Sequence, residues 1–352
     1  MQVGVMIGPE RGDTARKVAR MLDDIAWAED AGLATAWIPQ IPNDMDALLC
    51  VALLGAHTRR IELGTAVVPL QAQHPVALAR QALSAHAITG GRLTLGVGPS
   101  HHWIVTDMLG LPYDRPAAYT RDYLEVLRAA WRATAAAPGP GQGRIDVEND
   151  TFTVHNPFDV GPVAPLRVLI AALGPVMLKI AGERADGTVL WMADERAIGD
   201  HIVPKITKAA ENAGRPAPRV VAGIPVTLCT PSRVDEARAR ANRVLAEAEQ
   251  SPNYQRLLEH GDIRDVGDLL AAGERPGAGH RRAAAMPART SLVRCLEAIS
   301  SSRPVPIGSR RTDRSVTPAS ANRLKRAAIA ASSPAASRSP TSRMSPCSSR
   351  RW

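Results

Sequence analysis

Short apolar runs alternate along the chain with longer segments in which apolar residues recur every third or fourth position, so buried strands are predicted to alternate with amphipathic helices. Val3–Ile7 is the first such run and stops at Gly8-Pro9. Val18, Met21, Leu22, Ile25, Ala26 and Glu29 then follow helical spacing, with Asp13 or Thr14 as the cap and Gly32 as the stop. Leu33–Ile38 is a second strand, and Asn43 is placed to cap a helix from about Asp46 to Ala56. A third strand runs through Arg60–Val68 to Pro69. His74–Thr89 is helical, with Pro75 in the first turn, where a missing N–H matters least, and Gly90-Gly91 as the stop. Leu93–Val97 is the fourth strand, and a long helix from about Ala118 to Ala136 follows it. Beyond the Pro/Gly stretch APGPGQGR, a small hairpin is expected around Thr151–Val154. Strands at Arg167–Ala172, Thr188–Met192 and Val220–Leu228, with helices near Pro175–Ala185 and Ile198–Asn212, bring the series to seven β-α repeats.

Strands separated by helices imply parallel pairing with right-handed crossovers, which leaves a closed (β/α)8 TIM barrel or an open doubly wound sheet. An open sheet that binds a dinucleotide would show G-x-G-x-x-G after its first strand, and Gly4-Val5-Met6-Ile7-Gly8 is itself the strand. This favours the barrel. Its chemistry would then sit on the loops after the strand C-termini, namely Gly8–Asp13, Pro39–Asn43, Ala66–His74, Gly98–His102 and Leu173–Met177.

Composition narrows the class of function. Of 352 residues, 45% are hydrophobic and only 3% aromatic, which supplies an aliphatic core and argues against a stacking platform for single-stranded nucleic acid. No apolar run reaches the length of a membrane span, and the first residues lack a signal-type apolar core, so a cytoplasmic chain with no membrane partner is expected. The net charge of +9 is uneven: residues 276–352 hold 14 Arg and one Lys against Glu297 and Asp313, a net of +13, so residues 1–275 carry −4. Those 77 residues also contain 15 Ser, 14 Ala and 8 Pro, with Trp352 as their one aromatic, a composition that fits a disordered tail. A basic arm for nucleic acid is disfavoured for a tail with one aromatic on a mildly acidic body. Cys50, Cys229, Cys295 and Cys347 make no metal-ligand spacing, and no metal is expected.

Four stretches carry a family resemblance: Ala28–Gln40 (AEDAGLATAWIPQ), Arg60–Pro69 (RIELGTAVVP), His74–His102 (HPVALARQALSAHAITGGRLTLGVGPSHH) and Val168–Gly187 (VLIAALGPVMLKIAGERADG). They resemble the luciferase-like monooxygenase superfamily, and within it the actinobacterial oxidoreductases that use the deazaflavin coenzyme F420. The resemblance implies a TIM barrel that holds the ring at its C-terminal mouth, hydride transfer between F420 and a small organic substrate, and a homodimer. FMN-dependent monooxygenase chemistry is the alternative within the superfamily. A barrel that binds cofactor without catalysis is another.

Residue by residue, the resemblance places a non-prolyl cis peptide at Ala66-Val67, bulging toward the back of the ring. It places the cofactor's polar tail against Gly98, Pro99 and Ser100, and a phosphate at the helix N-terminus formed by Gly174, Pro175, Val176 and Met177, where free N–H groups suit an anion. His101 and His102 are the candidates for the proton that accompanies hydride transfer, since imidazole titrates near neutrality. In some relatives a carboxylate aligns with His101. Gln40 stands where sugar-phosphate-oxidising relatives carry an Asp-His pair, and Ile41 follows it; neither exchanges protons, so that chemistry is not expected, although Gln40 could hydrogen-bond the ring. Trp37 and Trp103 are either pocket walls or packing, and Asp107, Tyr113 and Arg115 form a loop able to cover the site or a solvated surface. His57, His74 and His86 are read as surface or structural residues of the outer helices. The resemblance covers residues 1–275, and no eighth strand or helix is recognisable beyond them. An incomplete barrel with unpaired edges and impaired activity is therefore expected, its tail either disordered or the product of a shifted reading frame.

Overall fold

Among the described residues, seven successive strands pair in parallel in the order in which they occur along the chain. The computed structural model describes residues 2–8, 13–135, 143–161, 163–224, 230–233, 236 and 254. The strands are β1 (Gly4–Met6), β2 (Thr35–Ile38), β3 (Glu62–Thr65), β4 (Leu93–Gly98), β5 (Arg167–Ile170), β6 (Gly187–Trp191) and β7 (Arg219–Gly223). Between them run α1 (Thr14–Asp30), α2 (Ala47–Ala56), α3 (Pro75–Ile88), α4 (Pro116–Ala135), α5 (Pro175–Arg184) and α6 (Val203–Asn212). A doubly wound sheet reverses its strand order at a switch point; here the order never reverses, and the sheet curls into a nearly closed barrel. The chain divides into two units, Met1–Ser301 and Ser302–Trp352, and every described residue belongs to the first. The expected tail, the missing eighth strand, the end of the seventh strand beyond Ile224 and three of the four cysteines lie outside the described residues.

Alternation along the strands sorts side chains into two cores. Ala36, Ile38, Leu63, Leu95, Val97 and Ile170 pack outward against Leu54, Leu78, Leu83 and Leu127 of the helices, all buried. Each large aliphatic group so buried contributes roughly 1.5–3 kcal/mol. Inside the barrel, Trp37, Leu169 and Val189 form a separate cluster, with Ala66, Val67 and Val221 packed on it. Gly64, beside Trp37 in the register, makes room for the indole: a Cβ there would lie 2.3 Å from two ring carbons. At the amino end of the strands, Glu62 of β3 pairs with Arg219 of β7, Thr94 donates to Glu62 Oε1 at 2.6 Å, and the Arg219 guanidinium sits 5.8 Å from the Trp37 ring centre.

Local differences from the sequence expectation have identifiable causes. The third strand is not continuous: β3 ends at Thr65, and Val68–Pro69 pairs separately with Val97 and Gly98. At the break, the Thr65 hydroxyl accepts from Gly96 N at 2.9 Å and donates to Gly96 O at 2.8 Å, so the side chain supplies the ladder bonds. Asp46, not Asn43, caps α2, through a 2.9 Å bond from Leu49 N. Asp13 does cap α1, with Arg16 N at 3.1 Å. The hairpin is longer than expected, Arg144–Glu148 against Thr153–Pro157, because Ile145, Val147 and Val154 alternate inward. Of the two readings of His86, surface or structural, its burial at 1% exposure selects the structural one, and burial pushes its pKa down. His74 is the N-cap of α3, its Nδ1 accepting from Val76 N. Among the described residues no helix is long and apolar enough to cross a membrane.

Candidate functional site

The carboxyl ends of β3, β4 and β5 carry small groups above the Trp37–Leu169–Val189 floor. Ala66 and Val67 follow β3, their peptide bond is cis as the resemblance implied, and Ala66 N donates to Ile38 O at 2.9 Å. Gly98 ends β4 opposite Ala171, just past β5; a Cβ at position 98 would stand 2.9 Å from Ala171 Cβ and 3.2 Å from Val67 Cγ2. Glycine at this position thus lets three strand ends converge with little side-chain bulk. Trp37 belongs to the floor at 6% exposure, its Nε1 donating to Thr35 Oγ1 at 3.0 Å. Of its two alternatives the structure selects packing, whereas Trp103 stands 48% exposed on the loop after β4.

That loop is tightly organised. Ser100 takes a left-handed backbone with φ of 61°, and its carbonyl accepts from the Tyr113 hydroxyl at 3.0 Å. The His101 carbonyl accepts from Ile104 N and Val105 N, opening a π-helical turn over Ile104–Met108, a feature frequent at functional sites. His101 and His102 then diverge. The His101 ring stacks on Trp103, with centroids 6.2 Å apart and 14° between planes, and meets Tyr254 at 6.0 Å and 42°. Burial holds its pKa below the usual imidazole value, which favours the neutral ring. His102 is exposed, with its ring edge-on to Tyr113 at 5.4 Å and its Nδ1 3.3 Å from Thr106 Oγ1. The Thr106 hydroxyl is in turn 2.6 Å from Asp107 Oδ1.

Gln40 is committed to structure. Its Oε1 accepts from Ala47 N at 2.8 Å at the start of α2, and its Nε2 donates to Ile41 O at 3.3 Å. Asp44 next to it binds Lys17 of α1 at 2.8 Å, and that ammonium holds the Asp44 carboxyl below its ordinary pKa. Gly174 caps α5 without a side chain, and Pro175 follows at its first position. Leu178 N donates back to Gly174 O at 2.9 Å, while the amides of Val176 and Met177 point out of the first turn as α-helix geometry requires. Buried His201, on a second π-helical turn at Ala197–Ile202, has Nε2 2.9 Å from Leu173 O and so fixes the residue before the cap.

The structure thus brings Ala66, Val67 and Gly98 together, sets Pro99, Ser100, His101 and His102 on the adjoining loop, and places Gly174–Met177 after the neighbouring strand. Tyr254 and His201 were not found from sequence. Tyr254 is far from His101 along the chain and no local pattern connects them, but the i, i+4 spacing of Thr106 from His102 was available on a helical reading. Among the described residues no group of three or more His, Cys, Asp or Glu is placed to hold a metal.

Known proteins share this architecture. A protein of Mycobacterium tuberculosis provisionally named coenzyme F420-dependent oxidoreductase is 29% identical over 197 residues, 53% of this chain and 55% of the relative, so the chain spans about half the length of that relative. The structure of the coenzyme F420 dependent tetrahydromethanopterin reductase from Methanopyrus kandleri aligns with a TM-score of 0.60 at 24% identity, covering 79% of this chain and 82% of the other. A type II Baeyer–Villiger monooxygenase component from Pseudomonas putida, in complex with FMN, aligns with a TM-score of 0.55 at 17% identity, covering 78% and 79%. The model of the luciferase-like monooxygenase family matches residues 1–300. With its parallel barrel and the four sequence stretches at its strand ends, this chain belongs to the luciferase-like monooxygenase family.

Proposed function

We propose that the protein is an oxidoreductase that moves a hydride between coenzyme F420 and a small organic substrate at the carboxyl end of the barrel. The observation that carries the reading is the set of small groups, Ala66, Val67, Gly98 and Ala171, above the Trp37 floor, where an added Cβ at Gly98 would clash with Ala171 and crowd Val67. A planar heterocycle needs such a flat, shallow-walled seat. Val67 would support one face of the ring. The backbone of Gly98, Pro99 and Ser100 would meet the polar tail, and the first-turn amides of Val176 and Met177, behind Gly174 and Pro175, would take a phosphate. The bound deazaflavin supplies the hydride chemistry; the protein supplies orientation, exclusion of water and a proton partner. Gln40 and Ile41 give no acid or base at the end of β2, so the proton partner is sought on the loop after β4.

The test is a titration of the full chain with oxidised F420 and, separately, FMN, each followed by fluorescence quenching, with oxygen uptake measured using reduced FMN. Quenching by F420 in the micromolar range is expected. Tight FMN binding with oxygen uptake, and no response to F420, would replace this reading by that of an FMN-dependent monooxygenase.

A further inference from the structure

We propose that His101, rather than His102, is the proton-exchanging group, and that Trp103 and Tyr254 are its positioning residues, two aromatic rings that bracket the imidazole and fix its plane at the mouth of the barrel. The inference rests on the functional reading above and adds to it a choice between two histidines and a residue from a remote part of the chain.

The choice follows from how each imidazole is held. His102 is exposed and has Nδ1 directed at Thr106, whose hydroxyl also serves the His102 carbonyl and Asp107. The contacts of the His101 ring among the described residues are instead to two aromatic rings, Trp103 and Tyr254. The His101 main chain is pinned by the two amides that bond its carbonyl and by the preceding Ser100, itself held through Tyr113. What remains free is rotation of the ring, and the rings of Trp103 and Tyr254 restrict it at centroid distances within the range of favourable aromatic pairs. Tyr254 is buried at 8% exposure, so it contributes a wall from which water is excluded. The Tyr254 phenol, raised to about 12 by burial, stays protonated and uncharged and does not compete for the proton. No charged group among the described residues shifts His101; the one cause of its lowered pKa is burial, and the Trp103 and Tyr254 rings lie against it.

In chemical terms, reduction of a substrate takes a hydride, two electrons and one proton, from the reduced cofactor, which is thereby oxidised. The substrate atom left anionic takes a second proton from an N–H of the His101 imidazolium, and solvent re-protonates the ring. Oxidation runs the same step backwards, with the neutral ring accepting. An imidazole held in one plane, donating when protonated and accepting when neutral, serves both directions without a change of rotamer.

The experiment uses full-length protein with histidine labelled at Cε1, His101 assigned by loss of its signal in His101→Asn, and NMR titration of wild type, Trp103→Ala, Tyr254→Ala and Tyr254→Phe, without and with F420. In wild type His101 should titrate below the free imidazole value. Opening either side of the bracket should raise the His101 midpoint toward the free imidazole value, because water returns to the charged form. Tyr254→Phe should leave it in place, since the ring and not the hydroxyl forms the wall. F420 should perturb the His101 signal in wild type. Unmoved midpoints in both alanine variants overturn the proposal, as does Tyr254→Phe behaving like Tyr254→Ala or F420 perturbing His102 alone. Trp103 is half exposed, so its alanine variant folds even where Tyr254→Ala does not. Failure of F420 to bind would sink the functional reading, while the titrations of free protein would still decide whether the bracket exists.

Discussion

Glu62→Gln tests the polar contact that joins β3 to β7 across the barrel. In the folded chain Glu62 Oε1 takes hydrogen bonds from Arg219 Nη1 and from Thr94 Oγ1, and the two charged side chains are 23% and 24% exposed. An exposed ion pair contributes about 0–1 kcal/mol, and breaking a fully buried one costs about 3–5 kcal/mol. At one quarter exposure, with a neutral amide oxygen still able to accept from both partners, the loss should fall between these limits, at roughly 1.5–2 kcal/mol. For a domain of this size that corresponds to a fall in Tm of about 3–6 °C. Since Arg219 lies in β7 and Glu62 in β3, the pair spans the barrel, and its loss should also loosen β7, seen as faster amide exchange of Val220–Gly223. The assay is thermal unfolding of wild type, Glu62→Gln, Arg219→Met and the double variant. Each single change leaves the other partner without its complement, so the double variant should be less destabilised than the sum. A Tm unchanged within about 1 °C in Glu62→Gln, or additive single effects, would refute the reasoning.

Three further outcomes follow from other contacts. Gly98→Ala should weaken F420 binding about tenfold or more while lowering Tm by only a few degrees, because its Cβ presses on Val67 and Ala171 at the seat of the ring; fluorescence titration beside a melting curve separates the two. Glu29 accepts the amides of Arg59, Arg60 and Ile61, and although its partial burial opposes this, those bonds and the Arg60 charge leave its pKa below the ordinary 4.5. A lowered folded pKa stabilises above the unfolded value, so the advantage of wild type over Glu29→Gln in urea unfolding should be full above pH 4.5 and fade as the pH drops below it; a constant difference from pH 3 to 6 would contradict this. Cys50 is buried, and that burial pushes its thiol up to about 11, so iodoacetamide at pH 8 should leave the Cys50 peptide unmodified until the protein is unfolded, as read by mass spectrometry.

Much of the barrel was legible because its signals are local. A strand such as Arg167–Ile170 is apolar at three consecutive positions since both of its faces are covered, and α1 shows its cap and its stop at Asp13 and Gly32. The break after Thr65 was hidden because the apolar run continues through Ala66-Val67-Val68, and nothing in that run reveals that the Thr65 hydroxyl would take over bonding to Gly96. Gln40 likewise offered no sign that its amide would be spent on the start of α2.

The sequence by itself determined the alternation of strand and helix, the order of the elements and the family, since hydrophobic period, caps and short motifs act over a few residues. Only the tertiary structure decided that Trp37 is floor rather than wall, that Glu62 meets Arg219 across the barrel, and that Tyr254 closes on His101. Those contacts join residues distant in the chain, and they exist only because curling the sheet turns each strand's inward side chains toward a common axis.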